Sequence, residues 1–188
     1  MNNIGDNSLF MSDHSSSDNK EVVIDYFLSW TLRCASQKNM KHPLVIKYAR
    51  DILSILLGIN MQDGYEVLDV RTWKQSNRID LWVEIDTDKG KHALLVETKA
   101  YSSLHDNQLE RYREIFENYY HKKDVQLHYV VVVLNDNIPQ SVIDECGRVG
   151  YKPFSLETIF SNLSDINNGT LVMTGSDLFD EFWFGTWG

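Results

Sequence analysis

The segment from Arg78 to Tyr112 constrains this chain more than any other. At a period of two residues, HALLVETK reads as a strand with Ala93, Leu95, Glu97 and Lys99 on one face and Leu94, Val96 and Thr98 on the other. An acid and a lysine therefore stand side by side at the end of an otherwise apolar strand. The stretch before it alternates as well. Ile79, Leu81, Val83 and Ile85 oppose Asp80, Trp82, Glu84 and Asp86, and the DTDKGK between the two segments contains a turn-forming Gly90. A hairpin of this kind brings Asp80 close to Glu97 and Lys99.

The flanking sequence supplies elements that can cover such a hairpin. Residues 1–19 are rich in Ser, Asn and Asp and read as a loose arm, with Asn19 as the cap of a first helix. In EVVIDYFLSWTLRCA, the spacing of Val22 or Val23, Tyr26 or Phe27, Trp30 and Cys34 predicts one buried helical stripe. After the polar SQKNMKH, Pro43 opens a second helix through LVIKYARDILSILL that Gly58 ends. YEVLDVRTWKQ reads as a strand, which with the hairpin makes an antiparallel three-stranded meander.

DNQLERYREIFENYYHKK places Leu109, Tyr112, Phe116 and Tyr119 on one helical face, with Asp106 as its cap and Lys122 and Lys123 at its end. The continuous apolar run LHYVVVVL then predicts an inner strand, parallel to the third because a helix intervenes. Asn135–Pro139 reads as a turn. QSVIDECG is a short helix closed by Gly147, VGYKPF a final short strand, and Ser155 the cap of a last helix through Leu163. The expected fold class is thus α/β, with a central mixed sheet flanked by helices.

Composition narrows the chemistry. The 188 residues suffice for one domain with its own core. No apolar run reaches the length of a membrane span, and the polar start lacks a basic-then-apolar leader, so the expectation is a cytoplasmic protein with no membrane partner. Cys34 and Cys146 are isolated and read as buried thiols. A formal charge of -9 argues against coating nucleic acid by electrostatics alone. The acid excess gathers after Val125, while the stretch holding the hairpin is near neutral.

Two strand-borne carboxylates beside a lysine suit metal-dependent phosphodiester cleavage. Asp80 and Glu97 offer hard oxygen ligands for magnesium, the Thr98 carbonyl adds another, and Lys99 orients or activates the attacking water. Glu84 and Asp86 lie further along the strand and read as solvated or as ion-pair partners. His92 and His105 read as surface or loop histidines rather than ligands.

The succession of Asp80, Glu97-Thr98-Lys99 and a following helix with Gln108 and Tyr112 resembles the PD-(D/E)XK nuclease superfamily. The resemblance covers roughly residues 20–160 and implies a nuclease-like domain over 20–165 with a restriction-endonuclease-like core, a nuclease acting on DNA, magnesium with manganese as a substitute, and bacterial or phage DNA processing or defence. Gln108 and Tyr112 look like the QxxxY element of the RecB-like branch, which helps place substrate, and they share one helical face. Glu21 is the position carried over as the leading acid that completes the metal shell. Asp80 follows Ile79 where the family name has proline. For Tyr112, packing with Leu109 and Phe116 is the competing account.

Residues 166–188 form an acidic extension containing Phe179, Phe182, Trp183, Phe184 and Trp187. These aromatics could stack on bases, meet a protein partner or a second copy of the chain, or cover an edge of the core. The second account supports a rival function, a nuclease-fold protein without catalysis that works as a regulatory or inhibitory module.

Overall fold

The structure is a computed structural model that describes residues 17–36, 42–60, 64–76, 78–100, 107–134 and 137–185. Helix α1 spans Ser17–Cys34 and α2 spans Pro43–Leu57. Three antiparallel strands follow, β1 (Val67–Ser76), β2 (Ile79–Thr87) and β3 (Gly90–Lys99). Helix α3 (Gln108–Tyr120) leads to β4 (Gln126–Val133), and α4 (Gln140–Val149) to β5 (Lys152–Ser155). Short helices α5 (Leu156–Ser161), α6 (Ser164–Asn167) and α7 (Asp177–Asp180) come next, and α7 runs into a π-helical turn at Glu181–Gly185.

Among the described residues the sheet has five strands in the order β1-β2-β3-β4-β5. Strands β3, β4 and β5 are parallel, as an inner strand reached through a helix requires. The pairing Leu81↔Val96 sets the next residues along, Asp80 and Glu97, across from each other. One sheet face packs Leu81, Val83, Leu94, Val96, Val130 and Val132 against α1 and α2. The other packs Trp82, Ala93, Leu95, Val131 and Val133 against Leu109, Tyr112 and Phe116 of α3 and Cys146 of α4. The period-two reading of β2 and β3 holds except at Ile79, which packs with Trp82 rather than with Leu81.

Helix α2 begins at Pro43 and ends at Gly58, whose φ of 67° lets its N–H reach the carbonyls of Ser54 and Ile55. Ser155 caps α5 by accepting from the Thr158 N–H at 2.9 Å. Both cysteines are buried and free.

Several sequence expectations shift. Helix α1 starts at Ser17, so Asn19 lies within it and does not cap it. Its buried stripe is Ile24, Leu28, Leu32 and Ala35, whereas Val22 and Tyr26 are exposed. Phe27 and Trp30 are half-buried against the core because α1 is covered on a second side by the aromatic extension. In α3 the third buried aromatic is Tyr120, not Tyr119, since Tyr120 accepts from Trp82 Nε1 and donates to Glu84. The residue at its N-cap is Asn107, and Lys122 and Lys123 lie past its last turn. Helix α4 passes through Gly147, because Val142, Cys146 and Val149 continue its apolar face, and it ends at Gly150 with φ of 78°. Asp106, His105, Trp187 and the first two residues of the turn at 135–139 lie outside the described residues, as do residues 1–16 of the arm.

For the aromatic extension, packing on the core is what the structure shows. Phe179, Phe182 and Trp183 are fully buried in the cluster of α1 and α2, Phe182 stacks on Phe27 at 4.3 Å, and Trp183 Nε1 donates to Thr31 Oγ1 at 3.0 Å. These three side chains therefore offer no free surface for bases or for a partner.

Candidate active site

The end of β3 carries the centre of the site. Glu97 and Thr98 are wholly buried, and Lys99 and Gln108 are nearly so. Lys99 Nζ lies 2.9 Å from Glu97 Oε1, and the Gln108 side-chain amide donates to the same oxygen. One helical turn on, Tyr112 OH accepts from Gln108 at 3.4 Å. Tyr112 also packs in the α3 core with Leu109 and Phe116, so its packing role is present in the structure. Across the hairpin, Asp80 accepts the Thr98 N–H at 2.9 Å. Helix α1 reaches the same place, with Glu21 Oε1 accepting the Ala100 N–H at 2.8 Å. The fold thus brings Glu21, Asp80, Glu97, Thr98, Lys99, Gln108 and Tyr112 together from two strands of the sheet and two helices flanking it.

The electrostatics are those of anions short of positive charge. Burial and then the nearby Asp80 carboxylate push the Glu97 carboxyl up to about 8, against the smaller opposing pull of Lys99. Burial also raises Asp80, with the Thr98 N–H and Lys99 acting the other way. For Lys99, burial favours the neutral amine, but Glu97 beside it overrides this and keeps the ammonium charged. Glu97 Oε2 is buried and has no hydrogen-bond partner. An orphaned carboxylate oxygen next to a second carboxylate fits a hard divalent cation. Among the described residues no three His, Cys, Asp or Glu side chains gather as a ready cage, so side-chain ligation rests on Asp80 and Glu97, with the Thr98 carbonyl alongside.

A buried acid escaped the sequence reading. Asp25, on α1, is 4% exposed, lies beside Thr98 and Asp80, and has an orphaned Oδ1. Burial, then Asp80, pushes its carboxyl up to about 7. The available signal was its place four residues after Glu21, one turn along the same helix face. Elsewhere, Glu84 and Asp86 both meet Arg71 at 3.2 Å, as ion-pair partners. His92 corrects the surface expectation: it is buried, with Nδ1 3.2 Å from His128 Nε2, and burial keeps both rings neutral more readily than in water.

A mixed sheet ordered in this way, with a carboxylate pair and a lysine where an antiparallel hairpin meets a parallel crossover, defines a restriction-endonuclease-like α/β protein. The chain belongs to the PD-(D/E)XK nuclease superfamily, which its sequence matches over residues 8–174. Membership supports a nuclease-type function in general. Comparison with curated proteins and with solved structures gave no match. Among the described residues no helix is long and apolar enough to cross a membrane.

Proposed function

We propose that this protein is a magnesium-dependent nuclease that hydrolyses phosphodiester bonds in DNA, in cytoplasmic DNA processing or defence of a bacterial or phage kind, with manganese able to substitute. The observation that carries the reading is the buried, unpartnered Glu97 Oε2 beside Asp80 and Lys99. Asp80, Glu97 and the Thr98 carbonyl would hold the ion, with Glu21 completing the shell from α1. When bound, such an ion neutralises charge on the scissile phosphate and lowers the pKa of water.

The remaining work falls to the chain itself. Lys99, fixed by Glu97, points an ammonium hydrogen at the attacking water and orients its lone pair. Gln108 keeps Glu97 Oε1 in place, which leaves the buried Oε2 for the ion. Tyr112 steadies Gln108, in the manner of the QxxxY element of the RecB-like branch.

The test is calorimetric titration of magnesium and of manganese into the wild type and a Glu97→Ala variant, beside cleavage of single- and double-stranded DNA at low salt. The expected result is metal binding and cleavage by the wild type and neither by the variant. A wild type that binds neither ion and cuts nothing would return the chain to the rival class of non-catalytic nuclease-fold modules.

A further inference from the structure

With a formal charge of -9, this chain can grip a phosphate backbone only where cations are placed locally. Its arginines divide into two groups. Arg71, Arg113 and Arg148 are held by acidic side chains, at 3.2, 2.7 and 2.8 Å from Glu84, Glu117 and Glu145. Arg33 and Arg50 donate to the carbonyls of Ser29 and Ala35. Among the described residues only Arg78 and Arg111 have neither an acidic nor a carbonyl partner, and both are exposed.

Both lie at the rim of the candidate active site. Arg78 stands in the turn from β1 to β2, between Ser76 and Ile79, which pair with each other, and two residues before Asp80. Arg111 is on α3, one turn after Gln108, with its guanidinium 5.3 Å from the centre of the Tyr112 ring. Gln108 in turn donates to Tyr112 and to Glu97. Each carboxylate of the hairpin therefore has one uncommitted arginine on its own side. We propose that Arg78 and Arg111 bind the phosphates that flank the scissile one, as a clamp that holds the nucleic-acid backbone over Asp80 and Glu97. The proposal rests on the nuclease reading of those carboxylates and names the groups that recognise the substrate there.

Electrostatics call for such a clamp. The centre of the site is anionic, and its lysine, Lys99, is already engaged by Glu97 at 2.9 Å. A divalent ion balances the carboxylates and the scissile phosphate but leaves the neighbouring phosphates uncompensated. A guanidinium suits that task, because its planar fork meets two phosphate oxygens at once and it is weakly hydrated. An arginine in an ion pair would have to break that pair first. Arg78 and Arg111 would not.

The backbone at Arg78 adds an independent reason. Its φ of 68° lies in the left-handed region, where glycine or asparagine costs least. A long cationic side chain held there, with no hydrogen bond, ion pair or ring contact to offset the strain, does nothing evident for the fold. Arg111 is preset differently: its place over Tyr112, within cation–π range, keeps the guanidinium beside the site before substrate arrives.

The test uses the full chain carrying Glu97→Gln and measures fluorescence anisotropy of labelled single-stranded and duplex DNA in magnesium buffer across a series of salt concentrations. Adding Arg78→Gln or Arg111→Gln is expected to weaken the tighter complex roughly tenfold at low salt, and to make the slope of log affinity against log salt shallower by about 1, whatever the base sequence. Lysine at either position keeps the charge and should keep the slope. Arg33→Gln, in the last turn of α1 and far along that helix from Glu21, should change neither quantity. Unaltered affinity and slope in either glutamine variant, a slope lost with lysine, an equal loss in Arg33→Gln, or no binding by the parent chain would overturn the clamp. Wild-type cleavage is scored separately. Cutting that both glutamine substitutions leave intact removes the clamp and keeps the nuclease reading, whereas arginine-dependent binding by a chain that never cuts removes the nuclease reading and keeps the clamp as a nucleic-acid contact.

Discussion

Two sets of buried acids in this chain are handled in opposite ways. Asp180 receives the Thr174 N–H, the Thr174 hydroxyl and the Gly175 N–H, and Asp165 receives the Lys47 ammonium and the Tyr48 hydroxyl. The Lys47 hydrogen bond holds the Asp165 carboxyl below the usual carboxylate range. Glu97 and Asp25 each keep an oxygen with no donor, and both carboxyls are pushed far upward. The first set closes loops of the fold. The second stores unfavourable electrostatics that a bound cation or ligand can relieve, which is the physical mark of a functional site.

The sharpest way to break this contrast is to exchange consequences between the sets. Glu97→Gln should lower the cleavage rate by on the order of 10³-fold, since a metal contributes several kcal/mol to the transition state, while thermal stability stays level or rises as a desolvated charge disappears. Trp183→Ala, in the satisfied region, should cost about 3–5 kcal/mol in urea unfolding because it empties a fully buried site and strands Thr31. Loss of activity per folded molecule in the second variant, or unfolding of the first, would erase the distinction.

Gln108→Ala is expected to reduce metal affinity or cleavage by roughly 10–100-fold, because Glu97 Oε1 loses the donor that orients it. Kinetics across magnesium concentrations would show this. Proton linkage gives a smaller effect. A carboxyl whose folded value lies above its unfolded one contributes stability that is complete below the unfolded value and lost as pH rises through the folded one. For Glu97 that window runs from 4.5 to about 8, and for Asp25 from 3.8 to about 7. Melting temperature should therefore decline from pH 5 to 8.5 by on the order of 2–4 °C more in wild type than in Glu97→Gln. The Asp165 contribution has the opposite sign and is lost only as pH falls below the ordinary carboxylate range. Smallest of all, Lys47→Ala should cost about 0–1 kcal/mol, since Lys47 is largely solvated.

Much of this was legible in the residues. The period-two alternation of β2 and β3 fixed which side chains share a face, and with it the meeting of Asp80, Glu97 and Lys99. Long apolar runs such as LHYVVVVL announced an inner strand. Helix phase was less legible. Val22 and Tyr26 fit a stripe in α1 as well as Ile24 and Leu28 do, and only the packing of that helix on the core shared with the sheet decides between them. Asp25 was hidden for a related reason. A polar residue in an apolar helix looks like its solvent side until the partner surface, here Thr98 and Asp80, is known. His92 was misjudged because the partner that buries it, His128, comes from a strand formed much later in the sequence.

The hydrogen bond from Trp183 to Thr31 joins residues 152 positions apart. During synthesis α1, which bears Glu21 and Asp25, emerges long before the aromatic residues that seal it. A chain still being made has the residues of the candidate site but not the wall that holds their helix in place, so the site is assembled only when nearly the whole of the described chain has left the ribosome.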